Sequence, residues 1–107
     1  MDKKIKIALA QLNPLVGDVL GNIKKLITIR SRLDSDVNVL VVPELYISGY
    51  PIDDLVLRED FLDLVEKEIN NLAKITTDNK SAIIVGAPRK NANSIKNSVF
   101  VIEKGEI

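Results

Sequence analysis

A chain of 107 residues suits one domain with one modest core, burying roughly 65% of the surface its unfolded form exposes. Fifteen Lys plus Arg balance fifteen Asp plus Glu, so no net charge draws the chain to nucleic acid or to an acidic membrane surface. With neither cysteine nor histidine, these residues exclude disulfides, thiolate or imidazole metal sites, a cysteine nucleophile and a serine–histidine triad, leaving Asp, Glu, Lys, Tyr and Ser for any chemistry.

Met1-Asp2-Lys3-Lys4 leads into the first element without an apolar signal region, and no apolar segment approaches the length of a membrane span, so the expected location is cytoplasmic. Residues 4–12 alternate and then turn wholly apolar, which predicts a strand entering a sheet from its exposed end; Asn13-Pro14 stops it. Asn22 is the expected N-cap of a crossover helix whose apolar side carries Ile23, Leu26, Ile27, Ile29 and Leu33. Arg30 lies within that arc, where its stem packs and its guanidinium snorkels outward or finds an acidic partner.

Residues 39–42 are apolar without alternation, as in a strand covered on both faces, and Pro43 closes the ladder. Glu44 therefore sits just past the C-terminal end of a central strand, where α/β sheets gather their chemistry. On an apolar shelf before Gly49-Tyr50-Pro51, a partly desolvated carboxylate is suited to general-base work. Carboxylates at strand ends are also commonly solvated or cap a helix, so position alone leaves both readings open.

A second helix is predicted over residues 60–75, with Glu59, Asp60 and Asp63 at its positive end. Glu68 intrudes on its apolar face, either at a solvated edge or paired with Arg30 if the helices pack together. Residues 82–88 read as a buried strand ended by Pro88, residues 90–95 as a polar loop, and residues 98–102 as a fourth strand. Gly105 supplies the positive φ of a following turn, and Ile107 opens a return strand, so the expectation is a truncated portion of a larger domain.

Several runs together resemble a known family: Ala10-Gln11-Leu12-Asn13-Pro14 with Val16-Gly17-Asp18, then Pro43-Glu44-Leu45, then Gly49-Tyr50-Pro51 with Asp53-Asp54-Leu55. Leu57-Arg58, Asp60-Phe61-Leu62, Val85-Gly86-Ala87-Pro88 and Asn97-Ser98 follow in order. The chain resembles, over nearly its whole length, the N-terminal part of the nitrilase-type, carbon–nitrogen hydrolase domain that supplies ammonia in glutamine-dependent NAD+ synthetases. The resemblance implies an α/β fold, part of an αββα sandwich: a mixed sheet with two helices on one face. The sheet faces those helices leave open would be covered by the rest of such a domain.

The resemblance also implies a Glu-Lys-Cys triad in which Glu44 is the proton carrier, and a glutamine pocket near Tyr50. The alternative for Tyr50 is a ring that packs the turn while its hydroxyl meets a backbone partner. The family's lysine follows the strand after the Gly105 turn and its cysteine comes later still, so both lie beyond Ile107; Lys104 is not that lysine. Glutamine is then the substrate, with no cofactor or metal in these residues. ATP, Mg2+ and deamido-NAD+ belong to an absent synthetase domain, the full-length protein is a homo-oligomer, and this chain alone is inactive. Another nitrilase-superfamily amidase and a non-catalytic α/β interaction module are the alternatives.

Overall fold

The structure, a computed structural model, describes residues 4–50 and 53–107. Pro51 of the Gly-Tyr-Pro run and the residues before Lys4 lie outside them. Four strands form one sheet in the order β1 (Ile7–Leu9), β2 (Val39–Val41), β3 (Ala82–Asn91) and β4 (Ser94–Ile102). The first three run parallel and β4 returns antiparallel to β3. Parallel neighbours cannot be joined by a tight turn, and the two crossovers carry helices α1 (Val19–Ser31) and α2 (Glu59–Ile75).

The register explains the burial. One row across the sheet is Ala8, Leu40, Ile83 and Ile102, and the next is Leu9, Val41, Ile84 and Val101. Because neighbours along a strand point to opposite faces, the two rows belong to different faces. Leu40, Ile83 and Ile102 are wholly buried and share one core with Leu26, Val65, Ile69 and Leu72 of the helices. On the other face Leu9 is 78% exposed and Val99 69%. Both helices therefore cover a single face, as the sequence predicts, and the opposite face is an open apolar surface.

Several boundaries differ from the sequence reading. β1 is shorter than residues 4–12, although Ala10 N–H still donates to Val41 O at 2.9 Å. The N-cap of α1 is Asp18, whose carboxylate accepts from Gly21 N–H at 3.0 Å, not Asn22. Asn22 lies one turn inside the helix, buried. Its side chain accepts from Leu15 N–H at 2.9 Å and donates to Leu15 O at 2.9 Å and Ile47 O at 3.0 Å, so it joins two loops instead of starting a helix.

Arg30 and Glu68 do not pair. The Arg30 guanidinium is buried instead of snorkelling outward; it meets the Asp78 carboxylate at 2.9 and 2.8 Å, and its Nε donates to Ser81 O at 2.9 Å. Glu68 is also buried rather than at a solvated edge, with Asn71 as its hydrogen-bond donor at 3.4 Å.

Pro88 does not end β3, which continues to Asn91 and turns through Ala92-Asn93 into β4, absorbing most of the expected loop. Even-numbered residues of β3 direct their backbone groups toward β2: Ala82 N–H donates to Asn38 O, while Ile84 O and Gly86 O accept from Val42 and Ile47. Pro88 has the same parity, but β2 has ended by that level, so its missing N–H costs no ladder bond. Gly105 takes φ +82°, as expected, and its N–H donates to Thr76 Oγ1 at 2.9 Å, fastening the turn to the end of α2.

Candidate active site

Val42 N–H donates to Ile84 O at 3.0 Å, the last rung between β2 and β3, and Pro43 then releases the chain from the ladder. A compact turn follows: Tyr46 N–H donates to Pro43 O at 3.2 Å, Ile47 N–H to Gly86 O at 3.2 Å and Gly49 N–H to Leu45 O at 2.9 Å. Leu45 is held at φ +52° although it is buried and bulky. Such a backbone is sparsely populated and persists where the surroundings over-determine it. Here those surroundings are the three hydrogen bonds and a seat on β3.

The seat is Gly86. A Cβ there would stand 2.5 Å from Leu45 N and 2.9 Å from Glu44 Cα, so the turn rests directly on the β3 backbone. Gly86→Ala is expected to lift the turn and lower stability by about 2 kcal/mol, the usual range for forcing atoms into filled space. Urea denaturation of the variant against its parent measures this.

Beneath the turn, Tyr46 is wholly buried and its hydroxyl donates to Asn22 O at 2.8 Å. Burial pushes that hydroxyl up to about 12, so it stays a proton donor throughout the neutral range. Gly49, at φ +82°, lets the loop before α1 come in from the other side: a Cβ there would be 2.6 Å from Val16 Cα, and Gly17 N–H donates to Ser48 O at 2.8 Å. Asn22 binds both loops to α1. The segment carrying Glu44 is thus fixed to β3, to α1 and to the loop before α1.

Glu44 itself is exposed, not desolvated as the sequence suggested. Its Oε1 accepts a hydrogen bond from Asn97 Nδ2, the only one made to this carboxylate among the described residues. Asn97 sits on β4 opposite Pro88, one pair beyond Gly86 and Val99 on the same face. Tyr50 lies on the same segment as Glu44 and is 69% exposed. Lys104 stands in the turn after β4, beyond the end of that strand opposite to Asn97, and its ammonium lies 3.9 Å from Glu103. A cavity of about 290 Å3 between α2 and the β3–β4 hairpin, lined in part by Leu62, Glu66, Pro88 and Phe100, includes neither Glu44 nor Tyr50. Among the described residues no group of three His, Cys, Asp or Glu side chains is placed to hold a metal ion. The same residues include no helix long and apolar enough to cross a membrane.

Residues 6–107 match the carbon–nitrogen hydrolase family. The chain belongs to that family. The carbon–nitrogen hydrolase chain is 37% identical over 106 residues to the glutamine-dependent NAD(+) synthetase of Thermotoga maritima, which covers 98% of this chain and 18% of that protein. The crystal structure of a glutamine-dependent NAD(+) synthetase from Cytophaga hutchinsonii superposes on 95% of the chain with TM-score 0.84 at 28% identity, using 17% of that chain. An amidase from Nesterenkonia sp. gives TM-score 0.77 at 20% identity over 95% of this chain and 40% of its own, a likeness of fold. This chain accordingly spans less than a fifth of the length of the synthetases it matches.

Proposed function

We propose that these residues are the N-terminal portion of the glutaminase half of a glutamine-dependent NAD+ synthetase, with Glu44 as its proton-transferring base. The observation that carries this reading is the 37% identity across 98% of the chain to a synthetase of that kind. The likeness to an amidase is of fold alone, which leaves that alternative weaker. In the proposed reaction a cysteine from outside these residues attacks the glutamine amide carbon, and Glu44 accepts the thiol proton and delivers it to the departing nitrogen. Ammonia leaves and a thioester remains. Glu44 then takes a proton from water as water attacks the thioester carbon, and returns it to the cysteine sulfur as the C–S bond breaks and glutamate leaves, while a lysine from outside these residues stabilises the oxyanion.

Two features support Glu44 in that role: its place just past the end of β2 on a turn fixed from three sides, and its exposure on the side of the sheet the helices leave free. Tyr50, projecting from the same turn, would line the glutamine pocket. The open face carrying Leu9, Val99 and Val101 would pack against the second sheet of the αββα sandwich. ATP, Mg2+ and deamido-NAD+ would be held by a synthetase part to which none of these residues is assigned, in a cytoplasmic homo-oligomer.

The test uses the full-length protein, supplied with ATP, Mg2+, deamido-NAD+ and glutamine. NAD+ formation is expected, together with glutamate. Hydrolysis of other small amides without NAD+ formation would favour the amidase. The 107-residue chain alone is expected to release no ammonia from glutamine, because it contains no cysteine to form the thioester.

A further inference from the structure

We infer that Asn97 is a positioning residue for the base, holding one oxygen of the Glu44 carboxylate so that the other faces the reacting groups. The inference rests on the reading of Glu44 as the base. It starts from a contact between residues 53 positions apart, in which Asn97 Nδ2 donates to Glu44 Oε1. The fold makes this contact in three steps. Gly86 lets the Glu44–Leu45 backbone lie on β3, which brings Glu44 over the face that Gly86 shares with Val99. β3 and β4 continue past the end of β2, and the next pair on that face is Pro88 and Asn97. Since Pro88 and its parity mates turn their backbone groups away from β4, the Pro88–Asn97 pair is of the kind that exchanges no ladder bonds, where side chains stand closest across the strands. The Asn97 amide is therefore carried on a rigid ladder at the level of the carboxylate.

An exposed glutamate samples several rotamers, and a base must meet its proton within hydrogen-bond reach. One amide donor bound to Oε1 restricts those rotamers and leaves Oε2, which no hydrogen bond engages among the described residues, for proton transfer.

The experiment compares Asn97→Ala, Asn97→Asp and Glu44→Gln in the full-length protein, following kcat and KM for NAD+ formation from glutamine and, separately, from ammonia. For Asn97→Ala, kcat with glutamine is expected to fall about 10-fold to 100-fold, with KM changed by less than about threefold. Asn97→Asp, whose carboxylate cannot donate to Glu44 Oε1, should lower kcat at least as far. The ammonia-driven rate of both variants should stay at the parent level, which shows that they are folded. If both Asn97 variants keep the parent's kcat while Glu44→Gln is dead with glutamine, positioning by Asn97 is refuted and the base survives. If Glu44→Gln keeps its glutamine-driven rate, the base itself is refuted, and this inference with it. Loss of both rates in both Asn97 variants would mean that Asn97 holds the fold, which overturns the inference.

Discussion

Asp78→Ala is expected to destabilise the protein by about 2–3 kcal/mol, at or below the lower end of what breaking a buried ion pair costs, because the Asp78 side chain is 36% exposed. The cost comes from Arg30 more than from the lost attraction. Its side chain is 4% exposed, and without Asp78 the guanidinium keeps, among the described residues, only Ser81 O as a partner. Arg30 and Asp78 are 48 positions apart, so the pair ties α1 to the segment between α2 and β3. Adding Arg30→Met should restore much of the loss, because the charge left without a partner is then gone as well.

The same pair sets a dependence on acid. The Arg30 guanidinium holds the Asp78 carboxyl down from its ordinary 3.8 to about 2. A group depressed in the folded state contributes stability above its unfolded value and loses it as pH falls toward the folded one. The parent should therefore lose stability between about pH 4 and pH 2 through this group, and Asp78→Ala should lack that step. Urea unfolding of parent, single and double variants at neutral pH and through that window measures both effects. A loss below about 0.5 kcal/mol for Asp78→Ala would contradict the account.

What could be read in the sequence is what depends on short stretches. Pro43 after four apolar residues placed the last rung of the ladder at Val42, one residue past β2, and the order of strands and helices implied the parallel crossovers. Gly105 announced its turn in the same way. What escaped depends on distant neighbours. Pro88 ends a strand only where another strand needs its N–H, and β2 stops short of it. Asp18 and Asn22 are equally good caps by residue type; the choice is made by Leu15 and Ile47, which engage the Asn22 side chain. Arg30 chose Asp78 over Glu68 for a reason that lies in the packing of α1 against the turn after α2. Within the candidate site, Glu44 was legible from Pro43. Asn97 had been singled out only as part of a family run, and its contact with Glu44 depends on Gly86 admitting the turn, a matter of backbone approach that no side-chain pattern records.

On the proposed reading, replacing Glu44 by glutamine should remove glutamine-driven synthesis by the full-length protein almost entirely while sparing synthesis from ammonia. The substitution keeps the size of the side chain and leaves a carbonyl oxygen to accept from Asn97 Nδ2, so the turn on Gly86 should stay in place. What is lost is a group able to take and return a proton, and general acid–base catalysis contributes about 100-fold to 10,000-fold. The upper part of that range is expected, because in the proposed reaction the same carboxylate serves both formation and cleavage of the thioester. Synthesis from added ammonia bypasses both steps. The decisive measurement is the initial rate of NAD+ formation by full-length Glu44→Gln with saturating glutamine and, in parallel, with saturating ammonium. The account predicts a glutamine-driven rate reduced by at least about 1,000-fold and an ammonia-driven rate within about twofold of the parent. A glutamine-driven rate that survives within about tenfold, or two rates that fall together, would contradict it.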